Sequence, residues 1–483
     1  MKHNQEETPF FTALLNYSKS DVTPFDVPGH KLGNIDNDLT KALGKTIYQL
    51  DANAPRGLDN LNHPSGVIKK AEELCAEAFH ADKAYILVNG TTLSIQVMIL
   101  SVLKENDYIL LPRNSHKSVI NSLIISGCNP IFMEPLIDKK YGFSKNIDFE
   151  TAKTAIDNNP FAKAILIIHP TYFGEVSDLE RISKYAHEKG LIVLVDEAHG
   201  SHFTFSSKLP KSAIDCGADM AATSMHKTAL SLTQSSLLLT KGNRVKESDI
   251  RTAINILQTT SPSSLLIASV DVARKEMYFE GEKRLARAIE LANEFRQKVS
   301  HLNYIKCLDE EYFLAHNTYQ FDNSKIILSF KRLGISGIDA YKILKDRYNI
   351  QAELGEKYVT LFIVSASTKK EDLDRLYDAL VDIEKTFKPI NTEDANYAYE
   401  YPKQVLKPRD AYNANSIELP LKDTLGYVSA EAVMIYPPGI PLIIPGEQID
   451  QNIIDTITDY ENNGSIIFKD SSDGYLKVVD LKN

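Results

Sequence analysis

Four short stretches of this chain carry side chains that could do chemistry, and each follows a run of apolar residues. Asn89-Gly90-Thr91-Thr92 follows AYILV (84–88) and precedes an apolar helical pattern that reaches about Leu103. The first N–H groups of a helix lack backbone partners and carry partial positive charge, so such a start binds phosphate well. Gly90 lets the backbone approach closely, and the Thr91 and Thr92 hydroxyls add donors. Alone, the stretch reads equally as a turn glycine and a helix cap.

Asp196 closes LIVLVD (191–196), which puts a carboxylate at the carboxyl end of a buried strand, where open α/β folds bind ligands. Burying it is costly unless donors or a cation compensate, and a protonated ring nitrogen would be such a cation. The plainer role is a cap for the next helix. Ser224-Met225-His226-Lys227 ends ADMAATS (218–224) in the same way. A desolvated lysine there becomes nucleophilic, and Ser224 and His226 can donate to a phosphate; a solvated lysine is the ordinary alternative. Asn114-Ser115-His116-Lys117 follows YILLP (108–112), so the His116 ring can stack on a flat cofactor or simply start a helix. Phosphate loop, carboxylate and amine in that order would suit a phosphorylated aldehyde with a basic ring nitrogen, such as pyridoxal 5′-phosphate (PLP).

The elements that must hold these groups alternate along the chain. Helical patterns at 67–79, at 92–103, from His116 and at 178–189 separate strands at 84–88, 108–112, 131–133, 164–169, 191–196 and 218–224. Short β-branched runs between helices predict an α/β fold with a mostly parallel sheet covered on both faces. Four segments are expected: an N-terminal arm over 1–60, a large cofactor-binding domain over 61–275, a small α/β domain over 276–387, and a linker with a C-terminal α+β domain over 388–483. A charged helix over about 264–301 is placed to bridge two domains, and 388–408 reads as linker.

Composition sets outer bounds. The chain has 483 residues, 43% hydrophobic and 24% charged, as in globular proteins with more than one core. A net charge of −10 argues against a nucleic-acid partner. Cys75, Cys128, Cys216 and Cys307 lack the paired spacing of a metal or disulfide framework, which fits a reducing compartment. With no secretory pattern at the N-terminus and no membrane-length apolar run, a soluble cytoplasmic protein is expected, with no metal and no membrane association.

Taken together, VPGHK (27–31), NGTT (89–92), PRNSHKS (112–118), HPTYFG (169–174), VDEAHGSH (195–202), ATSMHKTALSLTQSS (222–236), TTSPSS (259–264) and YPPGIPLIIPGE (436–447) resemble the Orn/Lys/Arg decarboxylases, with His226-Lys227 and the following LTQSS the most specific part. The resemblance is to the short bacterial form and covers essentially the whole chain. It implies an aspartate-aminotransferase-like fold, a homodimer or larger homo-oligomer, and a basic amino acid as substrate. Arginine, giving agmatine for polyamine synthesis, is the first expectation, with lysine and ornithine as alternatives; LDNLNHPSG (58–66) departs from the arginine-type pattern.

It further implies that Lys227 holds PLP as a Schiff base, Asp196 pairs with the pyridine nitrogen, and His116 and Ala198 pack on opposite ring faces. Gly90, Thr91, Thr92, Ser224 and His226 would hold the phosphate, and Thr260 and Ser261 would reach the phosphate of a second subunit. His199 stands where long-form members carry an aromatic residue near the cofactor. Glu447 falls where the family has a carboxylate at the substrate entrance, and is expected to meet the distal cation. Lys227 or His226 would return the proton to Cα. Two other readings are an aminotransferase or lyase on the same fold, and a catalytically silent homologue, which the presence of Lys227, Asp196 and His226 disfavours.

Overall fold

The computed structural model describes residues 3–391, 401–436, 440–462 and 466–480. Contacts divide the chain into two compact units, Met1–Val102 with Ile192–Ala286, and Leu103–Leu191 with Arg287–Asn483. Residues 61–275, expected as one large domain, therefore contribute to both.

In the first unit, four strands lie side by side in the order Lys83–Leu87, Ser236–Thr240, Met220–Ser224, Ile192–Glu197. Their interiors, such as Ile86, Leu238, Ala221 and Leu194, are buried, as the near-continuous apolar runs require. Ile192–Glu197 runs parallel to Met220–Ser224, but Ser236–Thr240 runs antiparallel to both of its neighbours. This is less parallel than the alternation predicts. Only residues 225–235 join Met220–Ser224 to Ser236–Thr240, about the lower limit for a crossover to a parallel strand, so the chain turns back instead.

The register has a consequence for chemistry. Leu87 lies opposite Ser236, Ser236 opposite Ser224, and Glu197 opposite Thr223. Three strand ends and one strand start therefore share a single edge of the sheet. NGTT, DEAHGSH, SMHK and TQSS all emerge there.

In the second unit, Tyr108–Pro112 lies between Asn129–Met133 and Ala164–Ile168, all parallel. A separate antiparallel sheet has the order Leu354–Gly355, Thr360–Ile363, Lys325–Ser329, Lys306–Leu308. The helices Gly337–Tyr348 and Lys370–Thr386 belong with it, contributing Leu344, Leu376 and Ile383 to a core that includes Ile326 and Phe330. Nearer the C-terminus, Val433–Tyr436 pairs with Ile440–Ile443 and Ile466–Phe468, and Ser416–Pro420 pairs with Tyr475–Val479, around Ile453 and Ile457 of the helix Gln451–Asn462. Of the expected linker, 392–400 lies outside the described residues, and a short helix, Pro408–Asn413, begins at its last residue. Residues 437–439 of the YPPGIPLIIPGE stretch also lie outside them. The bridging helix spans Ser264–Ser300.

Candidate active site

At the shared strand edge, hydroxyls gather around Thr91. Its Oγ1 lies 2.5 Å from Ser224 Oγ and 3.2 Å from Ser236 Oγ, and Ser94 Oγ lies 2.6 Å from Ser236 Oγ. Ser236 donates its own proton to the Thr223 carbonyl at 2.7 Å, so it accepts from its hydroxyl neighbours. This cluster sits at the start of the helix Gly90–Val102. Gly90 has φ +67°, a conformation that costs other residues, and a Cβ built on it meets nothing within 4 Å. Thr92 is partly buried, and its hydroxyl bonds to no protein group among the described residues.

The return segment TQSS props this loop. The Gly90 N–H donates to the Gln234 carbonyl at 2.7 Å, and Gln234 Nε2 donates to Asn89 Oδ1 at 3.3 Å. The Ser235 carbonyl lies 3.0 Å from His226 Nδ1. A carbonyl can only accept, so this nitrogen carries a proton, and Nε2 of His226 can donate only when the ring is an imidazolium. The expected donation from His226 to a phosphate is therefore confined to its charged form.

Lys227 lies on a one-turn helix, Met225–Thr228, directly after the strand. Its Nζ is 3.0 Å from Nε2 of His199, which is buried. Asp196 is buried as well, and its Oδ1 accepts from the Ala198 N–H at 3.1 Å. Burial pushes its carboxyl above the ordinary range, and the Lys227 charge and the Ala198 N–H act against that shift. Ser201 Oγ donates to the Ser224 carbonyl at 2.9 Å, so at 2.7 Å it accepts from Thr228 Oγ1. The DEAHGSH loop is thereby fastened to the lysine turn on both sides of Lys227.

In the second unit, His116 caps the helix Lys117–Ser126, its Nδ1 accepting from the Ser118 N–H at 3.2 Å. Thr260 and Ser261 are exposed, ahead of the long helix.

Glu447 requires a correction. It forms a two-pronged pair with Arg113, Nε to Oε1 and Nη2 to Oε2 both at 2.7 Å, and it also accepts the Ile444 N–H at 2.9 Å. Both side chains are 1% exposed. Its cation is Arg113, which leaves this carboxylate no free face for the distal charge of a substrate.

Sequence reasoning assigned no role to Ser94, Ser201, Thr228, Gln234, Ser235 or Ser236. The TQSS motif was the available signal for the last three, but hydroxyl and amide residues in a turn have many uses, and only the strand register singles these out.

PLP requires an anchoring amine, a carboxylate for its ring nitrogen and a cradle for its phosphate. Lys227 supplies the amine. Asp196 is a buried carboxylate whose hydrogen bonding stops at one N–H among the described residues, and a ring N–H would supply what it lacks. The open space over Gly90, at a helix start beside the Thr91 and Ser224 hydroxyls, suits a phosphate. The residues present fit the cofactor.

Comparisons with known proteins agree. The model of the Orn/Lys/Arg decarboxylase major domain matches residues 8–372, and that of the C-terminal domain of the same family matches 391–463. An arginine decarboxylase of Bacillus anthracis is 41% identical over 458 residues, covering 94% of this chain and 93% of that protein. One from Bacillus subtilis is 40% identical over 478 residues, covering 98% and 95%. The solved structure of a Francisella novicida lysine decarboxylase matches with a TM-score of 0.84 at 23% identity, covering 98% of this chain and 81% of that one. With the PLP-dependent transferase fold in place and family models matching along most of its length, this chain belongs to the Orn/Lys/Arg decarboxylase family and is a PLP-dependent amino acid decarboxylase.

Proposed function

We infer that this enzyme decarboxylates L-arginine to agmatine. The observation that carries this reading is the 40–41% identity, over more than nine-tenths of both chains, to the two Bacillus arginine decarboxylases.

Bound PLP supplies the electron sink that lets the bond from Cα to the carboxylate break. Lys227 would anchor the cofactor. Asp196 would hold its negative charge against the ring nitrogen. The start of the helix Gly90–Val102, with Thr91, Thr92 and Ser224, would hold the phosphate, helped by His226 when it is charged. The family resemblance would give His116 and Ala198 the two faces of the ring. Lys227 or His226, adjacent in the chain, would supply the proton that replaces CO₂.

The same reading makes the enzyme a homodimer, with Thr260 and Ser261 serving the phosphate of the second subunit; their exposure supports this. It puts the enzyme in the cytoplasm, in polyamine formation, and cysteines scattered along the chain without paired spacing support a reducing compartment. The deciding assay measures CO₂ release from arginine, lysine and ornithine with PLP present and identifies the product amine by mass. Arginine should be preferred by at least about tenfold in kcat/KM. Equal or faster turnover of lysine or ornithine would overturn the substrate assignment.

A further inference from the structure

We propose that His199 is the proton acceptor for Lys227, the imidazole Nε2 taking a proton from the ε-ammonium across their 3.0 Å contact. The inference rests on Lys227 being the anchoring amine, and it adds the group that makes that amine reactive. An ammonium has no lone pair, so Lys227 must lose a proton before its nitrogen can bond to a carbonyl carbon. In the step, the Nζ–H bond breaks and its electron pair stays on nitrogen as the lone pair. The Nε2 lone pair forms the new N–H bond.

Three features support this role. His199 is buried, so its ring is held rather than free to turn into solvent. The turn in which the Gly200 N–H bonds to the Glu197 carbonyl at 2.9 Å folds the loop back toward the lysine. The Ser201 links to Ser224 and Thr228 then fix the loop at positions bracketing Lys227, without using either reacting side chain. The spacing of the pair is thus set by its surroundings.

Charge gives the fourth argument. Transfer within the pair moves one positive charge by a hydrogen-bond length and creates none, so the buried Asp196 keeps a cation nearby in both states. Release of the proton to water would instead leave Asp196 without that cation. Titratable groups close in the chain or coupled to the pair include Asp196 and Glu197 on the adjoining strand and His226 beside Lys227. Glu197 accepts the Ala213 N–H, and burial holds its carboxyl well above the usual range.

The prediction concerns how the reactivity of Lys227 depends on pH. An isolated lysine gains about tenfold in reactivity per pH unit below its pKa, because only its own proton must leave. With His199 as acceptor the reactive form of the pair still holds one proton, on Nε2, so reactivity should rise about tenfold per unit only below the imidazole pKa and then stay level over the range in which the pair holds a single proton. Two probes on the full chain read this: acetylation of Lys227 by acetic anhydride before cofactor is added, and capture of PLP trapped with borohydride, each followed by peptide mass. The level stretch should appear in the native chain and give way to an unbroken tenfold rise in His199→Gln and His199→Phe, with Gln as the conservative variant should Phe disturb folding. An unbroken tenfold rise in the native chain would overturn the proposal. So would a level stretch that survives in both variants, which would point to His226. If the acetylation profile levels off but no PLP is trapped on Lys227, the cofactor assignment fails and the proton pair stands.

Discussion

Arg113 and Glu447 face each other through two parallel hydrogen bonds of 2.7 Å in a place almost sealed from solvent, although 334 residues separate them along the chain. Two further guanidinium N–H groups reach the Pro441 and Leu442 carbonyls at 3.0 and 3.3 Å. The Tyr401 ring lies 5.1 Å from the guanidinium carbon. The pair ties the end of the Tyr108–Pro112 strand, three residues before His116, to the segment 440–447.

Removing one member of such a pair leaves a charge without its partner in a dry site. Glu447→Gln should lower stability by about 3–5 kcal/mol, read as a shift in denaturant midpoint. In whatever fraction stays folded, KM for the basic substrate should hardly change. A large rise in KM with unaltered stability would restore the substrate-entrance role.

Asp196→Asn keeps size and removes charge. Turnover should fall by roughly a hundredfold or more, because the ring nitrogen loses its counter-ion, while PLP remains trapped on Lys227 by borohydride. An unchanged kcat would take Asp196 out of the chemistry.

Thr91→Val deletes the hydroxyl that links Ser224 and Ser236. Loss of that link in the phosphate cradle should weaken PLP binding by about tenfold, measured by equilibrium dialysis, with the secondary structure intact. Equal affinity would locate the phosphate elsewhere.

Glu175 provides a test of linkage away from the active site. It is fully buried, with Thr318 Oγ1 donating to it at 2.5 Å and Lys145 Nζ 3.4 Å away. Burial pushes its carboxyl up to about 7, against the pull of Lys145. The folded state therefore binds more protons than the unfolded state between the ordinary carboxyl pKa and about 7, and stability falls as pH rises through that window. Glu175→Gln should match the native chain within about 1 kcal/mol near pH 5, become relatively more stable as pH rises toward neutrality, and keep a constant advantage above it. Thermal midpoints that run parallel at all pH values would contradict this.

Much of the fold was legible because buried strands reveal themselves as apolar runs, and the predicted strand at 108–112 and helix at 67–79 match Tyr108–Pro112 and Val67–Ala78. Lys227 and Asp196 were legible as candidates because a charged side chain directly after such a run must be compensated. The antiparallel return of Ser236–Thr240 was not, since strand direction depends on what the connection can span rather than on strand composition. Glu447 was misread because nothing near it in sequence reveals a partner as remote as Arg113. His199 gave no clear signal, because an imidazole in a loop acquires a role only when folding brings another group to it.

The stretch between Ser224 and Ser236 holds its length under unusual constraint. It carries Lys227, the proposed anchor of the cofactor, and at its far end delivers a carbonyl to Gly90, another to His226 and a hydroxyl to Thr91. Side chains of a strand alternate faces with a period of two, so one inserted residue that shifted the following strand would move Ser236 into the place of Leu237 and turn its hydroxyl away from Thr91. Substitutions can be absorbed along this stretch one at a time; a change in its count cannot. Insertion scanning should therefore find it far less tolerant than the exposed turn at 241–246 that follows the same strand.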